Sequence, residues 1–253
     1  MKHMLLALAL MALVLVQFSY SSYTVTHLNV TAQLNENTSA FVNEVLTVKV
    51  SNDSVAQYTT NRLALNLTLS TWQSLVGPML VQHIVNPTRG VYNFKFLPGA
   101  IFRNSSGNFA YLLMSYDVAN VTSVNRTGPR SFRYAFNTNV FNFEHGVSGE
   151  VLPANTTFTI IAPPGATITS VYPVPDAPAA AFTTGYSNIT RVSWFYGEPL
   201  STFNFTFTLQ ESIETEVMNF FSGVYRTLGY ALYLIIVLAL IGLIVYVYIR
   251  AGR

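Results

Sequence analysis

Polar and apolar residues alternate with a period of two along most of the chain between residues 23 and 210. Val, Thr, Phe and Tyr dominate these runs, as is typical of β-strands, and clusters of Asn, Ser, Gly and Pro separate them as turns do. The alternation predicts strands over the following segments: Tyr23–Leu34, Ala40–Val50, Leu63–Leu69, Val91–Phe96, Phe109–Val118, Ser131–Phe136, Thr156–Ile161, Thr167–Tyr172, Arg191–Tyr196 and Phe203–Leu209.

One short helix is predicted within this β-rich region. Ser70 is a candidate capping residue before a short apolar pattern, and Gly77 and Pro78 would end a helix after Val76. The predicted fold is therefore mainly β, an antiparallel β-sandwich. The sequence pattern changes near residue 150, after which Pro-rich segments separate the predicted strands. This change suggests a larger domain over 22–150 and a smaller membrane-proximal module over 151–210, with one continuous sandwich as the alternative.

The pattern becomes helical after the last strand. Apolar residues recur at three- and four-residue steps, and three glutamates load the first half of the segment with negative charge. This predicts a juxtamembrane stalk helix over 211–226, continuous with the helix that follows. Its apolar stripe is either a surface on which copies associate or a face against the β-module or lipid headgroups. The stripe consists of Ile213, Val217, Phe220, Phe221 and Val224.

Two longer apolar stretches lie outside the β-rich region. Residues 1–21 combine Lys2, a short apolar run and small residues near the end, which predicts a cleaved secretory signal; an uncleaved anchor is the alternative. Residues 227–249 contain no charge and predict one transmembrane helix, followed by a cytoplasmic tail over 250–253 that contains Arg250 and Arg253. We therefore expect the β-rich region outside the cell membrane.

The composition fits an exported protein whose stability comes from packing. The chain has no cysteine, and its 13 Lys and Arg and 11 Asp and Glu are few for 253 residues. Acidic surroundings or dense glycosylation would each explain such a surface. Ten Asn-x-Ser/Thr sequons support the second explanation. They start at Asn29, Asn37, Asn52, Asn66, Asn104, Asn120, Asn125, Asn155, Asn188 and Asn204.

The search for catalytic chemistry gives little. His27, His83 and His145 lack metal-ligand spacing, so no metal or cofactor is expected. Glu144 and His145 would share a site only in a turn, because adjacent strand residues face opposite sides. A glycosidase would need two facing carboxylates. The candidates are Asp117, Glu144, Glu150 and Glu198.

One basic cluster lies around a turn at Gly128. Its members are Arg126, Arg130 and Arg133. Three arginines on a loop are usually solvated, although they suit an acidic partner or glycan. Nucleic acid is not expected as a partner outside the cell.

The layout as a whole resembles cell-surface proteins of thermoacidophilic archaea. The segment Val151–Thr208 carries Leu-Pro, Pro-Pro-Gly-Ala, Val-Tyr-Pro-Val-Pro, Val-Ser-Trp and Phe-Asn-Phe-Thr-Phe, and is similar to the membrane-proximal β-sandwich of uncharacterised archaeal single-pass proteins. The resemblance implies an S-layer or other cell-envelope setting and no catalytic residue. The chain differs from lattice stalk proteins in having no long coiled coil.

These observations together predict a non-enzymatic surface glycoprotein that binds or tethers envelope components. Its expected partners are membrane lipid and other envelope or membrane proteins, with a homo-oligomer through the stalk as a further possibility. The alternatives are an accessory subunit of a membrane complex for translocation, glycosylation or surface-filament assembly, and third a viral envelope protein or glycan-active enzyme.

Overall fold

The computed structural model describes residues 23–64, 67–146, 149–178 and 189–251. The predicted signal over 1–21, the sequon residues Asn66 and Asn188, and Arg253 lie outside the described residues. Internal contacts divide the described chain into two compact units. The first contains residues up to 123 and 135–207, and the second contains 124–134 and 208–251.

Thirteen strands and four α-helices are described. The strands are β1 (Tyr23–Leu34), β2 (Ala40–Val50), β3 (Tyr92–Pro98), β4 (Phe102–Asn104), β5 (Gly107–Val118), β6 (Thr122–Arg126), β7 (Ser131–Phe136), β8 (Glu144–Gly146), β9 (Gly149–Val151), β10 (Thr156–Ile161), β11 (Thr167–Tyr172), β12 (Arg191–Trp194) and β13 (Asn204–Gln210). The helices are α1 (Val55–Leu63), α2 (Leu69–Val76), α3 (Ile213–Leu228) and α4 (Tyr230–Ala251).

The main sheet has seven strands in the order β12-β10-β1-β2-β5-β3, with β4 also paired to β5. All its pairs are antiparallel except β1 with β10, which are parallel with Leu28 opposite Thr156. The sheet therefore contains strands from both sides of residue 150. A second sheet has the order β11-β13-β7-β6, and β8 and β9 form a hairpin. The fold is mainly β with mostly antiparallel pairing, which is consistent with the predicted sandwich; the parallel pair β1–β10 departs from the antiparallel prediction.

The alternation in the sequence decides which face of the main sheet is buried. In β2 the even positions from Ala40 to Val50 are buried and the odd ones are half-buried or exposed. In β5 the buried positions run from Ala110 to Val118, again every second residue. The register places Leu46 opposite Leu112 and Val48 opposite Ala110, so the apolar side chains of neighbouring strands share the inner face.

Two aromatic clusters fill this inner face. Helices α1 and α2 contribute Tyr58 and Trp72, whose rings are 5.5 Å apart and in edge contact; Tyr23 packs edge-on to Tyr58 and Phe96 to Trp72. The second cluster surrounds the ring of Phe158, which is fully buried. Edge contacts and offset stacking of this kind stabilise a core beyond simple area burial. Its other members are Phe141, Phe143, Trp194 and Phe203.

Most predicted strands are confirmed, several to the residue. The prediction of a strand over Leu63–Leu69 is wrong, because Leu63 ends α1 and Leu69 begins α2. The short helix is confirmed with a different cap: the Thr68 hydroxyl accepts from the Thr71 amide, and Gly77 at φ +108° ends the helix. Helix α1 is absent from the sequence prediction.

In the second unit, two helices follow the strands. Helix α3 is capped by the Ser212 hydroxyl, which accepts from the Thr215 amide at 3.1 Å, and it ends at Gly229 with φ +50°. The predicted continuous helix is therefore interrupted, because the left-handed conformation at Gly229 separates α3 from α4. Among the residues described, no helix is both long and apolar enough to cross a membrane.

Candidate functional site

A fully buried carboxylate lies in the middle of β2. Glu44 occupies an inward position of the alternation, between Val42 and Leu46, where every neighbour in the pattern is apolar. An isolated carboxylate is costly to bury, so such a residue needs hydrogen-bond partners inside the protein. The structure supplies them from β5 and from the segment after α2.

The Glu44 carboxylate receives three hydrogen bonds. Its Oε1 accepts from the backbone amide of His83 at 2.7 Å and from the hydroxyl of Tyr116, and its Oε2 lies 2.8 Å from Nδ1 of His83. The Tyr116 oxygen in turn accepts from the amide of Ile84 at 3.3 Å. These contacts attach residues 83 and 84 to the centre of the sheet.

The surroundings of Tyr116 favour its neutral form. Burial raises the pKa of the Tyr116 hydroxyl well above its usual range, and the negative charge and hydrogen bond of Glu44 add to this effect. The hydroxyl therefore stays protonated and can donate to the carboxylate. We name the three side chains Glu44, His83 and Tyr116 the buried triad.

A groove of about 290 Å³ lies beside the buried triad. Nδ1 of His83 is bound to Glu44, so Nε2 is the ring nitrogen left for acid-base chemistry. The groove also offers the carboxylate of Glu144 and the amide of Asn142, but its described lining has no hydroxyl or amine nucleophile. The lining consists of Pro78, Met79, Val81, His83, Asn142, Phe143, Glu144 and Pro153.

Packing of the groove segment indicates a structural role for the buried triad. The rings of His83 and Phe143 pack with their centroids 5.0 Å apart and their planes tilted by 35°. The His83 carbonyl accepts from the Asn142 amide at 2.9 Å, and the Val85 amide donates to the Val140 carbonyl at 2.7 Å. The triad thus fixes one long loop to the sheet and to residues 140–143. In the described parts of the chain, no three His, Cys, Asp or Glu side chains are placed to hold a metal ion together.

Glu144 and His145 do not form a site with each other. Both lie in β8, where Glu144 lines the groove and exposed His145 is opposite Glu150 in β9. Nδ1 of His145 is 3.9 Å from Oε1 of Glu150, and partial burial raises the pKa of Glu150 while His145 opposes the shift.

The other candidate acids have separate surroundings. Oδ2 of Asp117 accepts from the side-chain amide of Asn93 at 2.7 Å on the outward face of the main sheet. Burial raises the pKa of Glu198, and the charge of Asp176 adds to the shift. Asp117, Glu150 and Glu198 thus interact with Asn93, His145 and Asp176 respectively.

Arg126 of the basic cluster makes its contacts within its own hairpin. Arg126 donates to the carbonyls of Gly128 and Pro129 and lies 5.7 Å from the centre of the Phe132 ring. Arg133 is exposed. These contacts make Arg126 a turn-stabilising residue.

Arg130 holds the start of α3. Its guanidinium donates twice to the carbonyl of Glu211, at 3.0 and 2.7 Å, while the Glu211 amide donates back to the Arg130 carbonyl at 2.8 Å. Nε also lies 3.3 Å from Oε2 of Glu216 in the first turn of α3. We call this set of contacts the Arg130 clamp. The apolar stripe that follows has exposed Val217, Phe220 and Phe221 and half-buried Val224.

The described sequon residues lie mainly at the surface. Asn37 and Asn104 close Asx turns, accepting from the amides of Ser39 and Ser106. Asn29 differs because it is half-buried inside β1. The exposed sequon residues are Asn37, Asn52, Asn104, Asn120, Asn125, Asn155 and Asn204.

The sequence did not reveal the buried triad. Its only signal was an acid at an inward position of a strand, which indicates a polar partner but not which one. His83 and Tyr116 come from segments 39 and 72 residues away, and only the strand register brings them to Glu44.

Comparisons with known proteins do not identify a family. No family model and no curated protein sequence matches the chain. Among solved structures, the folded domain of LppM from Mycobacterium tuberculosis covers 77% of this chain and 93% of its own, with 10% identity and a TM-score of 0.27. The Fcho1 Mu homology domain of Danio rerio with bound Eps15 peptide covers 75% and 77%, with 13% identity and a TM-score of 0.19. At these scores neither likeness carries an argument about fold or function.

Proposed function

We propose that this protein is a non-enzymatic, membrane-anchored extracellular glycoprotein that tethers envelope components through a β-sandwich ectodomain. One observation carries the proposal. The strands bury their apolar side chains in two aromatic clusters, whereas α4 leaves its described apolar side chains exposed along its length. Examples are Leu238, Leu240, Leu243 and Ile244.

The membrane anchor is the first part of the proposal. Exposed apolar rows on a helix need an apolar environment, and residues 227–249 contain no charged side chain. Arg250 follows the apolar run as a positive residue on the cytoplasmic side. The proposed span is followed by a short tail inside the cell, which leaves the strands outside.

Glycosylation is the second part. Seven of the described sequon asparagines are exposed in turns and strand ends, where a glycan meets no steric obstacle from the core. Their sugars would cover a surface that carries few charges. The archaeal S-layer or envelope setting stays part of this proposal and rests on the resemblance in composition and layout.

Tethering follows from how the anchor is attached. The Arg130 clamp joins the β6–β7 hairpin to the first turn of α3, so a force on the hairpin is transmitted to the helix. In the proposed mechanism α4 fixes the base, α3 sets the distance from the membrane, and exposed strand surfaces bind the partner.

The proposal is tested by co-purification in mild detergent. The full-length chain and a version ending at Arg226 are purified with the same tag, and bound proteins are identified by mass spectrometry. Recovery of the same surface proteins by both versions is the expected result. Membrane-vesicle flotation of the two versions checks the anchor, since only the full-length chain should float.

An accessory subunit of a membrane complex is the second candidate. The exposed row on α3, with Phe220 and Phe221 in edge contact at 5.6 Å, favours it because such a row suits packing against another helix. Recovery of membrane-embedded partners by the full-length chain alone would replace the tethering proposal with this one.

A further inference from the structure

A concave region lies on the outward face of the main sheet, where β2, β5 and β3 are neighbours. It encloses about 410 Å³ and is separate from the groove beside the buried triad. It brings together aromatic rings, an acid, a lysine, an amide and a hydroxyl. The lining residues are Phe41, Asn93, Phe94, Lys95, Ser115 and Asp117.

Two exposed aromatic residues flank Asp117. The register places Asp117 of β5 opposite Phe41 on one side and opposite Tyr92 on the other. Phe41 is 43% exposed and Tyr92 is 44% exposed. Large rings on the solvent side of a sheet contribute nothing to the core, so their exposure at both sides of one carboxylate indicates a binding surface.

The polar groups between the rings are held in place. The register of β3 and β5 shifts between Tyr92 and Lys95, and Asn93 within this bulge has φ +53°. The bulge directs the Asn93 amide to Oδ2 of Asp117, 2.7 Å away. The carboxylate therefore has a fixed orientation and keeps further lone pairs for a ligand.

The next row of the sheet adds donors. Ser115 of β5 is opposite Lys95 of β3, which is exposed. One lysine and one aspartate make the region neutral overall, so charge complementarity favours a neutral ligand. That ligand must offer an apolar face to the rings and several hydroxyl groups to the carboxylate, ammonium and hydroxyl.

We propose that this region binds a neutral saccharide, with the C–H face of one sugar ring on Phe41 and its hydroxyls bonded to Asp117 and Lys95. A sugar ring is the common biological ligand with an apolar face and a rim of hydroxyls, and amphipathic pockets with a few fixed polar groups suit such ligands. A saccharide would then be the kind of partner that the protein tethers, and this link is the one point at which the inference rests on the proposed function.

The alternative of a peptide adding as a strand is disfavoured by β3 itself. This strand ends the main sheet, and its edge carries a bulge at Asn93, the charged Lys95 and the terminal Pro98. All three features hinder edge-to-edge pairing of strands.

The test is calorimetric titration of the full-length chain in detergent, produced in a host without N-glycosylation so that its own glycans are absent. The probes are mannotriose, cellotriose, galactobiose and diacetylchitobiose. We expect at least one to bind with Kd below about 10 mM, and Phe41→Ala and Asp117→Ala each to weaken that binding about tenfold or more.

Matched controls separate this result from a general effect on the fold. Phe195, which is also 44% exposed, serves as the control ring, and Phe195→Ala should leave Kd within about twofold. Phe41→Trp should retain binding because it keeps an aromatic face.

The inference would be overturned by no heat of binding with any of the four probes, or by equal affinity of wild type and Phe41→Ala. Self-association that depends on Phe41 without saccharide binding would assign the face to a second copy and also overturn it. Failure of the tethering proposal would be seen separately, as loss of envelope proteins in the co-purification with saccharide binding intact.

Discussion

The strand-built unit and the helices α3 and α4 treat apolar side chains in opposite ways. Phe158 has no exposed surface and packs against the rings of Phe141, Phe143, Trp194 and Phe203, whereas Phe220 is 65% exposed. Removing apolar surface from water is favourable, so the buried rings of the first unit stabilise its fold. The exposed rings of α3 contribute little to folding in this way. Phenylalanine is therefore a core residue in one region and an exposed residue in the other.

The largest expected effect comes from a matched pair of substitutions that remove one phenylalanine ring from each region. Phe158→Ala should lower the free energy of unfolding by about 3–5 kcal/mol, because it removes a ring from the centre of the second aromatic cluster. Phe220→Ala should change it by less than about 0.5 kcal/mol. Urea unfolding of the detergent-solubilised chain measures both. Similar losses for the two variants would contradict the comparison.

The buried triad gives the next effect. Glu44→Gln replaces a carboxylate oxygen with an amide donor that faces the donors of His83 or Tyr116, so we expect a loss of about 2–3 kcal/mol. Glu144→Gln, at an exposed position, is the control and should be neutral. An unchanged urea midpoint for Glu44→Gln would show that the triad does not hold the loop.

High pH should weaken the helix-covered end of the core. Burial raises the pKa of Tyr58 from 10.0 to about 12, with the charge of Arg62 opposing the shift. The unfolded state releases this proton first, so the contribution is complete below pH 10 and is lost as pH rises to 12. A pKa difference of this size corresponds to about 2–3 kcal/mol.

Thermal melts across this pH range measure the loss. Tyr58→Phe cannot ionise, so its stability should fall less steeply, from a value about 1 kcal/mol lower because the hydrogen bond to the Gly99 carbonyl is absent. Burial also raises the pKa of Tyr116, so part of the decrease in stability with rising pH remains in both proteins. Parallel curves for the two proteins would contradict the assignment to Tyr58.

The smallest effect is expected at the Arg130 clamp. Arg130 and Glu216 are both more than a third exposed, so their ion pair contributes little, and Arg130→Ala should cost about 0.5–1 kcal/mol. Its main consequence is local: amide hydrogen exchange at Glu211 and the first turn of α3 should become about tenfold faster. Arg133→Ala is the control, with exchange in α3 unchanged.

The sequence predicted the strands well where one face is buried and the other is not. Ala40–Val50 is exact because all its buried positions fall on even numbers. Helix α1 was not predicted because Tyr58 is its one buried residue, which gives no apolar repeat, and Thr59 and Thr60 favour strands locally. In the helix their hydroxyls bond back to the carbonyls of Val55 and Ala56.

The candidate sites could be predicted much less. The alternating leucines of Leu63–Leu69 resemble a strand in sequence, although Leu63 ends α1 and Leu69 begins α2. The buried triad and the concave region on the outer face both depend on which residues lie opposite each other across strands. This register is fixed by the packing of the whole sheet, so it cannot be predicted from the sequence of any single segment.

The parallel pairing of β1 with β10 has a consequence for how the chain is made. Leu28 in β1 pairs with Thr156 in β10, which lies 128 residues later in the chain. In contrast, β2 can pair with β1, and β5 with β2, as soon as each strand has been made. A chain delivered from its N-terminus therefore passes through a stage in which the first strand keeps one unpaired edge, and such edges attract other chains. This side of the main sheet is complete only after β10 has paired with β1 and β12 has paired with β10.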